Sequence, residues 1–116
     1  MTQIRLSENE QSGWAAALPR RGGLARMMAA KAYEVPLEEV AAATRRNPRA
    51  AFARQVAMYL AHVVFGMKMS EIACEFGRDR TTASHACHRI EDLRDDPDLD
   101  RLLGWLEAQL REAVAP

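Results

Sequence analysis

Arg80, Thr81, Ser84, His85 and His88 are spaced to share one face of a helix. That face carries hydroxyls and imidazoles, with one guanidinium at its N-terminal end. A guanidinium presents a planar fork of donors, a hydroxyl donates and accepts, and an imidazole does either according to its tautomer. Such a set suits the recognition of base edges and phosphate oxygens. It lacks the nucleophile, base and orienting group whose convergence marks a catalytic site. On the other side of the same helix, Ala83, Cys87, Ile90 and Leu93 recur at helical spacing and are expected to face a core.

Positioning that face requires a turn and a supporting helix. Within residues 72–90 (IACEFGRDRTTASHACHRI), Ile72, Ala73 and Phe76 put apolar groups on one side of a short helix over 69–76. Gly77 ends it, because a residue without Cβ takes the left-handed C-cap conformation at no steric cost. Asp79 is the expected N-cap of the second helix, 80–94, its carboxylate accepting the N–H of Thr81 or Thr82. Two short helices about a glycine turn form a helix-turn-helix, whose second helix can lie in the DNA major groove.

The remaining chain supplies a scaffold of further helices. Residues 1–23 mix polar residues with Gly13, Pro19, Gly22 and Gly23 and are expected to form a flexible arm, in which Trp14 to Leu18 can form a helical turn and dock. Residues 24–113 form the domain. A helix is expected over 24–33, broken at Val35-Pro36, with Pro36 opening a short helix over 37–43. Residues 44–49 (TRRNPR) are a basic loop, from which Asn47 caps a long helix with Pro48 at its first position. Phe52, Val56, Tyr59, Leu60 and Val63 are expected on its inner face, and Gly66 after Val64 or Phe65 to end it. Asp96-Pro97 starts a last helix, where Leu99, Leu102, Leu103, Leu106 and Leu110 form an apolar stripe that closes the core. Alanine-rich composition and scarce β-branched runs predict an all-α, compact helical bundle.

A net charge of zero conceals an uneven distribution. Between residues 45 and 89 eight basic side chains (Arg45, Arg46, Arg49, Arg54, Lys68, Arg78, Arg80 and Arg89) face three acids, a balance of +5. From residue 91 onward eight acids face three arginines, a balance of −5. The middle of the chain is therefore suited to a polyanion and the last third is not. Cys74 and Cys87 are too few for a disulfide framework, and the sequence shows no signal peptide, membrane span or phosphate-binding P-loop. A reduced cytoplasmic protein without a cofactor, ATP hydrolysis or a small-molecule substrate is expected.

Two other chemistries draw on residues of the same region. His85, Cys87 and His88, with Cys74, have the residue types of a zinc site. On a helix, however, Cys87 points with the core residues while the histidines point away, so no metal site is expected. The acidic segment 91–100 would suit a protein partner such as RNA polymerase or another regulator, and the domain could serve only as an interaction module. Retention of the arginines of the basic loop argues for DNA instead; plain solvation, with favourable charge at the start of the last helix, also accounts for the acids.

From residue 24 to about residue 110 the chain resembles the C-terminal DNA-binding domain, domain IV, of the bacterial replication initiator DnaA. The resemblance rests on two motifs. One is Arg54-Gln55-Val56-Ala57-Met58-Tyr59-Leu60-Ala61; the other is Arg78-Asp79-Arg80-Thr81-Thr82, followed by His85-Ala86-Cys87 and Ile90-Glu91. The resemblance implies a Trp-repressor-like helix-turn-helix fold and sequence-specific binding of double-stranded DNA. It implies that Arg46 enters the minor groove and that Arg54 and Gln55 hold phosphate. It places Asp79, Arg80, Thr81 and Thr82 against bases or phosphate in the major groove, with His85 on phosphate or a base edge further along. Lys68, Ser84, His88 and Arg89 complete the expected surface.

Three departures qualify what carries over. The family's usual histidine is Arg80 here, whose fork can grip guanine O6 and N7. One glycine of the family's turn is missing, and the ATPase module of the initiator is not found. A nucleoid-associated transcriptional regulator is the expected role, by analogy with stand-alone proteins of this type that include activators of phage-derived gene clusters. The alternative is a replication modulator that competes at initiator boxes.

Overall fold

The structure, a computed structural model, describes residues 21–41 and 47–114. These residues form six helices: α1 (Arg21–Tyr33), α2 (Leu37–Ala41), α3 (Pro48–Phe65), α4 (Met69–Phe76), α5 (Arg80–Leu93) and α6 (Pro97–Ala113), with no strand among them. The expected all-α bundle is what the chain forms.

The bundle is built around α3. Asn47 Oδ1 accepts the N–H groups of Arg49 and Ala50 at 3.1 and 3.2 Å, which satisfies two of the donors that a helix start leaves unpaired. Gly66, at φ 66°, ends the helix in the left-handed region. Between these caps the helix buries Ala53, Val56, Ala57, Met58, Tyr59, Leu60 and Ala61. It is apolar around most of its circumference, whereas one inner face was expected; Phe52 and Val63 of that expected face are only partly buried. A helix with neighbours on several sides is buried in this way. α1 and α5 make its most extensive contacts. Small side chains let them approach, with Ala25, Ala29 and Ala30 from α1, Ala83 and Ala86 from α5, and alanines of α3 in one core cluster.

α1 begins earlier than the glycines suggest. Arg21, Gly22 and Gly23, expected in the arm, form its first turn, and both glycines are buried. The reason lies in packing: a Cβ on Gly22 would stand 2.7 Å from Glu75 Oε1. Glycine there permits close approach to α4 rather than chain freedom. Residues 1–20 lie outside the described residues. At the other end of α1, Glu34 takes φ 54°, and the Val35 N–H bonds to the Ala30 carbonyl at 3.0 Å, closing the helix where glycine is more usual. Pro36 precedes the first turn of α2 instead of occupying it, its carbonyl accepting from Glu39 and Val40. The described part of α2 ends at Ala41.

α6 closes the far side. Leu103, Leu106 and Leu110 are buried and Leu99 and Leu102 half-buried, as the stripe predicts. Asp96 caps the helix through the Leu99 N–H, with Pro97 at its first position.

Candidate nucleic-acid interface

The helix-turn-helix consists of α4 and α5. Gly77, at φ 63°, ends α4, and the Arg78 N–H reaches back to the Ala73 carbonyl at 2.8 Å. The Asp79 carboxylate accepts the Thr82 N–H at 2.7 Å and so caps α5. This bond and the Thr82 hydroxyl hold the Asp79 carboxyl below its ordinary pKa. Ile72, Ala73 and Phe76 of α4 and Ala83, Cys87 and Ile90 of α5 are buried. Leu93 corrects the expected inner face. It is 36% exposed, and Ala86, at 2%, is buried instead, because the buried stripe of α5 drifts around the helix against the central α3.

The outer face of α5 is open along its length. Arg80, Thr81, Thr82, His85, His88 and Arg89 are exposed and Ser84 is half-buried. A depression of 870 Å³ runs along this face, lined by Asp79, Arg80, Thr81, Ser84, His85 and His88, with Met69 from the start of α4 at its edge. His88 Nδ1 lies 2.9 Å from the Ser84 carbonyl, which commits that nitrogen within the helix.

A second depression, 280 Å³, lies between α3 and α5. It brings together Arg54 and Gln55 from α3, Arg78 from the turn, and Thr81, Thr82 and His85 from α5. Two guanidiniums with hydroxyl and amide groups make a seat suited to an anionic oxygen. Gln55 is itself held: its Oε1 accepts from Arg89 Nη1 at 3.0 Å, while the Arg89 guanidinium sits 5.7 Å from the centre of the Phe52 ring. These contacts tie the outer edge of α5 to α3.

Arg54 has a structural duty that its motif does not announce. It is 9% exposed, and its Nε donates to the Val40 carbonyl at 2.8 Å, with Nη2 3.4 Å from the Glu39 carbonyl. Burial, followed by the adjacent charge of Arg78, lowers its pKa. Asn47 Nδ2 donates to Glu39 Oε1 at 2.5 Å, so α3 grips the end of α2 at two points. Arg45 and Arg46, from the basic loop between them, lie outside the described residues. Arg49 is exposed at the N-terminus of α3, and Lys68 is exposed ahead of α4, where its N–H donates to Glu71 at 2.8 Å. Neither lines the two depressions.

One group important to the geometry has no signal in the motifs. Arg94, just past α5, donates to Tyr59 Oη (3.0 Å), Asp100 Oδ1 (2.7 Å) and Glu107 Oε2 (2.5 Å). Tyr59 in turn donates to Glu91 Oε1 at 2.7 Å. Burial works against the Arg94 charge, yet its hydrogen bonds with Tyr59, Asp100 and Glu107 outweigh that effect and raise its pKa. This cluster fixes the C-terminal end of α5 to α3 and α6. The signal available in the sequence was a lone arginine within an acidic run.

Among the described residues no group of three or more histidine, cysteine or acidic side chains is arranged to hold a metal ion. Cys87 is buried, with its thiol pushed up to about 11 by desolvation, while His85 and His88 are exposed. No described helix is long and apolar enough to cross a membrane.

The family described as the bacterial DnaA protein helix-turn-helix matches residues 27–90. The chain belongs to this family. Chromosomal replication initiator proteins DnaA of Caldanaerobacter subterraneus subsp. tengcongensis and of Thermoanaerobacter sp. strain X514 are each 33% identical to it over 82 residues. Those matches cover 70% of this chain and 18% of each initiator, so the chain corresponds to a small part of its relatives. A crystal structure of a DNA replication initiation factor superposes with a TM-score of 0.75 at 28% identity, over 92% of this chain and 33% of that one. The fold is that of the DnaA DNA-binding domain, and the family relationship supports DNA binding by the helix-turn-helix.

Proposed function

We propose that this protein binds double-stranded DNA in a sequence-specific manner and acts as a bacterial transcriptional regulator. In this reading α5 enters the major groove, with Arg80, Thr81, Thr82 and His85 toward base edges and Ser84 and His88 further along. Arg54, Gln55, Arg78 and Arg89 hold backbone phosphate beside it, and Asp79 sets the start of the helix. Arg45, Arg46 and Arg49 reach the flanking backbone and minor groove, and Lys68 adds charge at the start of α4. The observation that carries this reading is the exposed polar face of α5 beside a basic depression built from three segments.

Arg80 favours a regulator with its own operator. A histidine at this first helical position offers one donor or acceptor per nitrogen, whereas a guanidinium offers paired donors that match guanine. An activator of a phage-derived gene cluster is one form such a regulator takes, and the acidic segment 91–100 is the surface it would offer RNA polymerase or another regulator. The retained Arg78, Asp79, Thr81 and Thr82 favour a second reading, a replication modulator that competes at initiator boxes.

Selection of bound fragments from a random duplex pool separates the two. A consensus unlike the initiator's box supports the regulator; the box itself supports the modulator. On the selected duplex, about five phosphate contacts give a slope of roughly −4 to −5 for log K against log salt by fluorescence anisotropy. A slope near zero removes the DNA-binding reading altogether.

A further inference from the structure

Gln55 and Arg89 meet beside the depression between α3 and α5. The Gln55 side chain lines that depression, half-buried, and its Oε1 accepts from Arg89 Nη1 at 3.0 Å. A guanidinium only donates, so the atom it faces is the amide oxygen, and the amide's own donors are left over. Among the described residues Gln55 Nε2 has no hydrogen-bond partner. The guanidinium is held in turn. It stands 5.7 Å from the centre of the Phe52 ring, one helical turn before Gln55 on α3. Tyr33 of α1 meets that ring edge-on, with centroids 5.5 Å apart.

We propose that Arg89 is a positioning residue, which fixes the Gln55 amide so that Nε2 is presented as a donor to a backbone phosphate oxygen. The inference rests on the DNA-binding reading above and specifies how Arg89 serves it. Arg54 and Arg78 line the same depression, and their charges attract an amide oxygen. Left to itself, the amide would turn Oε1 toward them, where an acceptor repels phosphate. Arg89 pulls the oxygen the other way, toward Phe52. The amide then adds a donor to two guanidiniums, in place of an acceptor that competes with the ligand. Fixing the amide before DNA arrives also removes the cost of ordering it at binding.

A double-substitution cycle separates positioning from charge. Binding to the duplex recovered by selection is measured by fluorescence anisotropy for full-length wild type, Arg89→Met, Gln55→Ala and the double variant. Arg89 is exposed and Gln55 half-buried, so circular dichroism should be unchanged in all three variants. Gln55→Ala should weaken binding about tenfold, the scale of a hydrogen bond to a charged group. Arg89→Met should weaken it about tenfold in wild type and only about two- to threefold in the Gln55→Ala background. Loss of the Arg89 charge is common to both backgrounds and cancels in that comparison. Equal factors in the two backgrounds would make Arg89 an independent phosphate contact and overturn the proposal.

Nitrogen–proton correlation spectra supply a readout that a merely structural role would leave still. The Gln55 side-chain amide signals, identified by their absence in Gln55→Ala, should stand apart from those of solvated glutamine in free wild type. In Arg89→Met they should move to the solvated position. Adding the duplex should shift them downfield in wild type. Signals that either Arg89→Met or the duplex leaves in place overturn the proposal while DNA binding stands. A wild type that binds no duplex overturns the DNA-binding reading, and this inference with it.

Discussion

The two ends of the recognition helix are built to opposite specifications. At its C-terminal end Glu91 and Arg94 are tied through Tyr59, Asp100 and Glu107 to α3 and α6. At its N-terminal end Arg80, Thr81 and Thr82 are exposed, and the principal constraint is the Asp79 cap on the Thr82 N–H. One end is fixed by side chains that meet each other; the other keeps its side chains at the surface. The division has a physical basis. A base-reading residue gains specificity only from groups that its own protein has not satisfied, whereas orienting the helix requires bonds that are satisfied before DNA arrives.

The largest effect that would test this division lies at the fixed end. Replacing Arg94 by Met keeps much of the volume but leaves Glu107, whose side chain is 13% exposed, without its cation. A stability loss of about 2–3 kcal/mol in urea unfolding is expected, less than a fully buried pair because Arg94 is itself 20% exposed. Base preference among the duplexes that still bind should be unchanged. A stable Arg94→Met protein with altered base preference would mean that the fixed end takes part in reading.

Next comes the N-terminal end, which is proposed to read base edges. Arg80→Ala should leave unfolding within about 0.5 kcal/mol of wild type. It should cost about 1–3 kcal/mol in binding and relax preference at one base pair, expected to carry guanine. Arg80→His should move that preference toward the initiator's box. Competition against every single-base variant of the selected site measures all three proteins. Equal weakening across the variants would make Arg80 a phosphate contact and leave specificity to Thr81, Thr82 and His85.

Tyr59→Phe is a milder probe of the fixed end. Its hydroxyl donates to Glu91 and accepts from Arg94, and its pKa is pushed up to about 12, first by burial and then by the bond to Glu91. Loss of the hydroxyl should cost about 1 kcal/mol of stability, since Glu91 and Arg94 retain solvent or other partners. A cost well above this would mean that the cluster acts as one unit rather than as separate bonds.

The two ends also differed in how far the sequence disclosed them. Asp79, Gly77, Asn47 and Gly66 are caps, and Pro48 is a first-position proline; their chemistry is local, so their positions follow from neighbouring residues alone. Arg80, Thr81, Ser84, His85 and His88 follow from the helical repeat, and each reaches the exposed face or its edge. The cluster around Arg94 joins residues 35, 6 and 13 positions away, and no local pattern encodes such partners. Arg54 shows the same limit. Its motif implies a phosphate contact and gives no sign of its bond to the Val40 carbonyl, which depends on how α2 folds against α3. The repeat puts Leu93 inside, but a repeat alone cannot show where a neighbouring helix stops covering the face, and Leu93 is exposed. The early start of α1 has no local signal, because Gly22 serves close packing on Glu75, which is 53 residues away in the chain.

The smallest effect concerns the link between the ends, the cap that starts α5. The Asp79 carboxyl has a lowered pKa because its charged form accepts the Thr82 N–H and hydroxyl. A carboxyl whose pKa falls on folding stabilises the fold where it is ionised. That stabilisation is fully present above the ordinary value of 3.8 and is lost as pH falls through the lowered one. Asp79 is fully solvent-exposed, so the change should be small and should diminish with added salt. Asp79→Asn separates charge from capping. Asparagine caps a helix about as well as aspartate, so the variant should retain α5 at neutral pH and lose the part of the acid dependence due to this carboxyl. Amide exchange at Thr82 and Ala83, followed from neutral to acidic pH, reports the first turn directly. Wild-type protection should fall with acid while that of Asp79→Asn stays flatter. Identical pH profiles would show that the charge of Asp79 contributes nothing to the start of the recognition helix, and that its capping oxygen alone sets the position from which Arg80 reaches outward.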